Sequence, residues 1–181
     1  MDPVQALEVA RAFKDEAEQI YLLYRDALAA LGRYREAHVG LDPDTIIEYQ
    51  AGDHAVAPST VGGLLVRSAP NGRHEVLLAN LALVTLFELW EHRRRGELAE
   101  AISVRRDAVT IPALGDLRRF RNAIVHPVGD ALTDLAKCEV MPWFRPGDPV
   151  RFGPSQVEEV IGRVRSGVDE FVLRALAAAT A

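Results

Sequence analysis

The stretch Val76-Leu-Leu-Ala-Asn-Leu-Ala-Leu-Val-Thr-Leu-Phe-Glu-Leu-Trp90 is apolar almost all the way round a helix. A helix of that kind is buried on several sides, so the stretch predicts the central helix of a helical fold, from His74 to about Ala101. Its 15 residues include three polar side chains, which makes it too short and too polar to span a membrane. The charged run Glu91-His-Arg-Arg-Arg95 follows, so the helix is expected to leave the core and emerge into solvent.

Two more helices are predicted at the ends of the chain. From Asp2 to about Tyr34, apolar residues recur in steps of three and four, and Asp2 is placed to cap this helix with Pro3 in its first turn. The last helix is predicted to begin at Ser155, because Glu158 three residues later completes a capping box before a regular apolar stripe.

A fourth helix is predicted from about Pro112 to His126. Proline suits the first turn of a helix, and the negative charge of Asp116 is expected to stabilise the positive N-terminal end of the helix. Pro127 pushes the residue before it out of the α region, so His126 is expected at the C-terminus of this helix.

Two segments between the helices have other patterns. Residues 40–73 contain repeated prolines and glycines, and the sequence leaves open whether Ile46-Ile47 and Gly63–Val66 form short strands or turns of helix. A connection of this length is often functional, for example as a lid or a dimer arm. Lys137–Phe144 and Pro149–Phe152 flank a Pro-Gly connector and predict a small β-hairpin.

Together these patterns predict a mainly α protein. We expect an up-and-down bundle of about four main helices with a small β-hairpin before the last one, in a single domain over residues 1–181. Cys138 is the only cysteine, which excludes an internal disulfide and a cysteine-based zinc site. The N-terminus lacks the order of residues that is typical of a signal peptide, in which a basic segment precedes an apolar one. A cytoplasmic protein with no membrane segment, no metal and no cofactor is therefore expected.

The net charge of −5 does not suggest a dedicated nucleic-acid binder, but the charges are unevenly distributed. From Arg93 to Arg121, eight arginines stand against four acidic residues, which leaves a surplus of +4. Such a patch is compatible with binding a phosphate backbone at one site, and Arg94, Arg118 and Arg119 are the candidates for that contact. The alternative is a solvated helical face.

The most informative segment is Arg121-Asn-Ala-Ile-Val-His126. At about 100° per residue, the side chains of Arg121 and His126 lie about 140° apart on an ideal helix, whereas Asn122 and His126 share a face. Convergence of Arg121 and His126 therefore requires a distorted last turn, the reach of a long guanidinium or a second subunit.

This segment resembles the Arg-x4–6-His signature of the HEPN (higher eukaryotes and prokaryotes nucleotide-binding) superfamily of ribonuclease-like helical bundles. The polar residue after the arginine and the position near the end of a late helix fit the same pattern. Leu89-Trp-Glu91 before a run of arginines, and the Gly147-Asp148 turn before the last helix, fit it too. The resemblance extends over roughly Val76 to Val172, and the six-residue motif is its specific part.

The resemblance implies a metal-independent endoribonuclease that acts as a homodimer, with a composite site built from the motifs of two protomers. In that role His126 would transfer protons and Arg121 would bind the phosphate. Asn122 would orient His126 or the phosphate, and Glu91 is a candidate orienting residue behind them. The resemblance also implies RNA as substrate, a role as a toxin or in phage defence, and a cognate antitoxin as partner.

Each site residue also has a purely structural interpretation. His126 can be a cap favoured by the helix dipole, which is worth about 0.3–1 kcal/mol. Arg121 can form an ion pair with Glu88 or Glu91, and Asn122 can satisfy backbone groups after the helix. Two broader alternatives therefore stay open. One is a catalytically inert HEPN-like module that recognises a partner protein or nucleotide, and the other is an unrelated bundle in which the motif is a coincidence.

Overall fold

A computed structural model gives the structure of the protein and describes residues 1–51, 54–126, 133–145 and 148–180. The described residues are mainly helical, which confirms the predicted class of fold. In chain order the regular elements are α1 (Pro3–Glu36), β1 (Ile46–Ala51), β2 (His54–Thr60), α2 (Val61–Arg67), α3 (Arg73–Leu89), α4 (Arg95–Ala101), α5 (Pro112–Val125) and α6 (Pro154–Thr180). A π-helical turn (Trp90–Arg94) joins α3 to α4, and 3₁₀ turns lie at Arg106–Ala108 and Asp134–Lys137.

The chain forms two compact units. The first contains residues Met1–Leu22 and Ala79–Ala181, and with them α4, α5 and α6. The second contains Leu23–Leu78, with both strands and α2. All the candidate site residues lie in the first unit.

Large apolar side chains on several helices form the core of the first unit. The fully buried ones include Phe13, Leu83, Leu86, Leu98, Leu117 and Phe120. Phe13 of α1 packs on Trp90 with ring centroids 5.2 Å apart, and burying a large apolar side chain contributes about 1.5–3 kcal/mol. At the start of α1, Asp2 Oδ1 accepts the N–H of Gln5 at 3.0 Å, so the predicted cap is confirmed.

The second unit contains the two-stranded sheet. β1 and β2 pair antiparallel with Ile46 opposite Thr60, and the register is irregular between Ile47 and Tyr49. α2 follows directly, and Thr60 Oγ1 caps it by accepting the N–H of Gly63 at 3.1 Å. The question that the sequence left open is thereby answered: the isoleucine pair is strand, and the piece that begins at Gly63 is helix.

The predicted central helix contains a π-helical turn that the sequence did not indicate. A turn of this kind is wider than an α-helical one and changes the direction of the side chains that follow it. Arg94, at its end, has a side chain only 9% exposed. Its Nε lies 2.8 Å from Glu16 Oε2 of α1, and its Nη1 lies 2.6 Å from Glu97 Oε2. The expectation that this part of the helix emerges into solvent is therefore wrong for Arg94, whose charge is buried against two carboxylates.

The hairpin predicted before the last helix is absent from the described part of residues 133–152. The physical reason is Asp116, which is fully buried. Its carboxylate accepts three consecutive backbone N–H groups, those of Glu139 to Met141, at 3.0, 2.7 and 2.8 Å. These donors are then not available to a strand partner. The predicted position of the hairpin is therefore wrong, and the strand pairing found among the described residues is that of β1 with β2.

Aromatic rings hold the same segment against α5. Phe120 stacks on Trp143 with ring centroids 5.4 Å apart and an interplanar angle of 10°. Phe152 meets Phe120 edge-on at 5.0 Å and Phe144 at 5.2 Å. The Pro146-Gly147 connector of the predicted hairpin lies outside the described residues. Ring packing and the Asp116 carboxylate, rather than strand pairing, fix this part of the chain.

The last helix begins one residue earlier than predicted. α6 starts at Pro154, and the N–H of Gly153 donates to Gln156 Oε1 at 2.9 Å. The side chain that caps the helix is therefore that of Gln156, three residues after Gly153, and not the predicted pair of Ser155 and Glu158. Proline at the first helical position has no N–H to leave unsatisfied.

Candidate functional site

His126 lies where α5 ends. Its φ of −125° and ψ of 71° take the chain out of the helix, and its N–H still donates to the carbonyl of Asn122 at 2.8 Å. The predicted helix end is thus confirmed, with the proline that follows in the sequence as its cause. The His126 side chain is exposed, and the described residues offer its ring no hydrogen-bond partner. The imidazole is therefore accessible to a bound molecule.

Arg121 is held by a carboxylate of the neighbouring helix. Its Nε lies 3.0 Å from Glu88 Oε1 of α3, and its Nη1 lies 3.4 Å from Asn122 Oδ1. The side chain is 28% exposed, so the guanidinium is positioned but still reaches solvent. Of the two carboxylates that the sequence proposed as its partner, Glu88 is the one that binds it.

Glu88 also binds His92, a contact that was not predicted from the sequence. His92 Nε2 lies 2.7 Å from Glu88 Oε2, so one carboxylate bridges His92 and Arg121. The signal that indicates this contact is the four-residue spacing of Glu88 and His92, which places both on one face of a helix.

Arg121 and His126 lie close together in the sequence, but their side chains are not in contact in the structure. α5 keeps its helical form to Val125, and the guanidinium of Arg121 is directed to α3. Among the described residues no hydrogen bond joins the two side chains. The link between them is Asn122, which contacts Arg121 and lies one helical turn before His126.

Two predicted site residues have partners elsewhere. Glu91 lies 3.1 Å from Arg95 Nη1 and 3.1 Å from Arg106 Nη2, and Arg106 also donates to the Glu91 carbonyl. Arg94 binds Glu16 and Glu97 as described above. The structure therefore places neither Glu91 nor Arg94 among the described contacts of Arg121.

The basic patch predicted from the sequence is mostly neutralised by ion pairs. Of the eight arginines between Arg93 and Arg121, seven have a carboxylate within 4.0 Å: Arg93, Arg94, Arg95, Arg105, Arg106, Arg119 and Arg121. Arg119 pairs with the buried Asp116 at 2.9 Å. Arg118 is exposed and has no ion pair within the part of the chain that the structure describes. Among the predicted substrate-binding residues, Arg118 is thus the one whose charge is available.

Two adjoining cavities lie beside α5. The larger has a volume of about 830 Å³ and the smaller about 290 Å³, and both are lined by Gly115, Arg118 and Arg119. The smaller one is also lined by Asn122, Asp134 and Lys137. The two cavities therefore lie along α5, and the smaller one reaches Asn122 of the motif.

The described residues contain no group of three histidine, cysteine or acidic side chains arranged to hold a metal ion. None of the helices in the described ranges has both the length and the apolar character needed to cross a bilayer. The chain matches no protein-family model, no curated protein and no solved structure. The function is therefore argued from the site itself.

Proposed function

We propose that the chain is a metal-independent endoribonuclease of the HEPN type, a single HEPN-like domain that acts as a homodimer of up-and-down bundles. The observation that carries this proposal is the exposed His126 imidazole at the end of α5, one turn beyond an asparagine that contacts Arg121. Metal-free cleavage of RNA requires an accessible proton-transfer group and a positioned guanidinium, and His126 and Arg121 are the residues proposed for these two roles.

The chemistry uses the ribose 2′-hydroxyl as nucleophile. Its oxygen forms a bond to phosphorus and gives its proton to one imidazole, while the bond from phosphorus to the 5′-oxygen breaks and that oxygen takes a proton from a second imidazolium. In a composite site the two imidazoles are the His126 side chains of two protomers. Arg121 stabilises the charge on the phosphate. The described contacts use two of its five N–H donors, which leaves donors for the phosphate oxygens.

The cellular part of the proposal comes from the resemblance alone. HEPN ribonucleases of this kind serve as toxins or in defence against phage, and we extend that role, a cytoplasmic location and a cognate antitoxin to this protein. Arg118 and Arg119 are retained as RNA contacts, with Arg118 the stronger of the two because its charge is unpaired within the described residues. Arg94 is left out because its guanidinium is buried between Glu16 and Glu97.

The test is cleavage of labelled RNA in the presence of EDTA by the wild-type protein and by His126→Ala. We expect the wild type to cut and the variant to be about 10²–10⁴-fold slower, the usual contribution of a general acid or base. His38→Ala is the matched control, because His38 is a partly exposed histidine after α1, outside the candidate site, whose Nδ1 contacts the Tyr34 carbonyl at 2.8 Å. Equal rates for wild type and His126→Ala, or no cleavage of any RNA offered, would overturn the proposal.

One observation favours a second candidate function, that of a catalytically inert module that binds a partner protein or nucleotide. Glu88 neutralises Arg121, which weakens the attraction of this guanidinium for a phosphate. If the protein is such a binding module, neither the wild type nor Glu88→Gln cleaves RNA in any assay. For the nuclease, Glu88→Gln changes the cleavage rate, because Arg121 then loses the charged partner that positions it.

A further inference from the structure

The larger cavity beside α5, together with the smaller one that adjoins it, is called here the α5 groove. Its volume of about 830 Å³ lies in the range of about 300–1,000 Å³ that is typical of small-ligand sites. It shares Arg118 and Arg119 with the space of about 290 Å³ that reaches Asn122. The residues that line the groove therefore extend along α5 from Pro112 to Asn122, which contacts Arg121.

The charges in the α5 groove are mainly positive. Four arginines and two glutamates line the larger cavity, which gives it a formal charge of +2. Arg95 and Arg119 are engaged by Glu91 and Asp116, respectively. The two remaining arginines, Arg118 of α5 and Arg174 of α6, are exposed and have no ion pair within the described ranges. The groove thus presents two guanidinium groups without an ion pair among the described residues. They are opposed by the exposed Glu139 in the larger cavity and by Asp134 in the smaller one, where Asp134 pairs with Lys137.

The groove also has an apolar wall. Trp90 and Ile111 contribute to it but are largely buried, with 3% and 5% of their surface exposed. Phe171 of α6 is partly exposed and lies three residues before Arg174, so its ring and that guanidinium share one face of the helix. An aromatic ring beside a cation is the arrangement that binds a nucleotide, whose base stacks while its phosphate is paired.

This inference rests on the proposed function. We infer that the α5 groove binds a nucleotide that flanks the cleaved phosphodiester, with Arg118 and Arg174 on its phosphates and Phe171 under its base. The base must be unpaired, because a stacked and paired base has no free face for the ring. An acidic peptide would use the two arginines but gain nothing from the phenyl ring, so the aromatic contact favours a nucleic-acid strand.

The test is fluorescence anisotropy with a labelled RNA octamer that carries 2′-O-methyl groups throughout, because it cannot be cut through its 2′-oxygens. Arg118→Gln and Arg174→Gln are each expected to weaken binding roughly fivefold to tenfold. Each is also expected to reduce the slope of log affinity against log KCl concentration by about 0.7, the value for one phosphate contact on a single strand. Phe171→Ala is expected to weaken binding about tenfold with an unchanged slope, since it removes stacking and no charge.

The matched control is Arg163→Gln, which changes an exposed arginine of the same helix that pairs with Glu159 and does not line the groove. Thermal melting of each variant confirms that it is folded. Wild-type affinity and slope in the Arg118 and Arg174 variants would overturn the inference. So would displacement of the octamer by poly-glutamate together with wild-type binding by Phe171→Ala.

The outcomes also separate this inference from the nuclease assignment. Loss of octamer binding in the Arg118 and Arg174 variants, combined with wild-type cleavage by His126→Ala, would support the groove and reject the catalytic role of His126. If cleavage depends on His126 but octamer binding is unchanged in the Arg118 and Arg174 variants, only the inference about the groove is rejected.

Discussion

Asp116→Ala is expected to lower the free energy of unfolding by about 3–5 kcal/mol. The wild-type carboxylate is fully buried, and it accepts the N–H groups of Glu139 to Met141 and a hydrogen bond from Arg119 Nη1 at 2.9 Å. Removing it leaves several donors without an acceptor inside the protein, and each buried unsatisfied donor costs about 1–3 kcal/mol. Urea unfolding followed by circular dichroism measures the loss.

The same substitution has a local readout at Cys138. Burial, and then the charge of Asp116, raise the pKa of this thiol to about 12, so very little thiolate is present near neutral pH. In Asp116→Ala the residues after Cys138 lose their anchor and the negative charge disappears. Cys138 should therefore react faster with an aromatic disulfide reagent than in the wild type, under conditions where both proteins are folded.

Asp15→Ala is the matched control for Asp116→Ala. Asp15 is 66% exposed and lies 3.9 Å from Arg11, so its loss should change stability by less than about 1 kcal/mol. A loss of under 1 kcal/mol in Asp116→Ala, with unchanged Cys138 reactivity, would contradict the anchoring role that the structure gives this carboxylate.

The features that the sequence predicts well are those with a local cause. The cap at Asp2 depends on a hydrogen bond to Gln5, three residues away. The end of α5 at Val125 depends on the proline two residues later in the chain. In both cases the side chain that determines the structure lies within one turn of the residue that it affects, so the pattern is readable from the sequence.

The features that the sequence misses depend on partners far along the chain. The sequence predicts a helix-end charge at Asp116, yet this carboxylate binds backbone groups 23 to 25 residues later and so prevents the predicted hairpin. The sequence places Arg94 in an exposed charged run, yet its carboxylate partner Glu16 lies 78 residues earlier. A charged run has no periodicity that reveals which of its members turns inward, and the π-helical turn before α4 changes which one does.

The candidate site shows the same division. The position of His126 at a helix end follows from local chemistry, and it was predicted. The choice of Glu88 over Glu91 as the partner of Arg121 depends on how α3 packs on α5, and the sequence could only name both. That Arg118 has an exposed charge without an ion pair among the described residues can be concluded only when the ion pairs of the other arginines are known.

Arg94→Met is expected to lower the free energy of unfolding by about 2–4 kcal/mol. Methionine keeps much of the side-chain length but removes the charge, so Glu16 and Glu97 lose their buried shared cation and keep only the exposed Arg93. Breaking a buried ion pair on one side costs about 3–5 kcal/mol. We expect less here because the two carboxylates are 27% and 37% exposed and are partly solvated. The midpoint and slope of urea unfolding give the difference.

Arg93→Met is a closely matched control, since Arg93 is the preceding residue and contacts the same two carboxylates at 3.4 and 3.2 Å. Its side chain is 58% exposed, so solvent screens both pairs and the expected loss is below about 1 kcal/mol. Equal losses in the two variants would mean that burial of Arg94 contributes nothing.

Acid should separate the wild type from Arg94→Met in a defined direction. The hydrogen bond from Arg94 lowers the pKa of Glu16 below its ordinary value of 4.5. A carboxyl group whose pKa is lower in the folded state contributes stability that is complete above the unfolded pKa and disappears as the pH falls through the folded pKa. The stability of the wild type should therefore decline on acidification below about pH 4.5, while Arg94→Met, which lacks this contribution, should decline less over the same interval. Parallel curves of stability against pH for the two proteins between neutral pH and pH 3 would show that Glu16 and Arg94 are not coupled. The buried ion pair would then not contribute to the stability of the first unit.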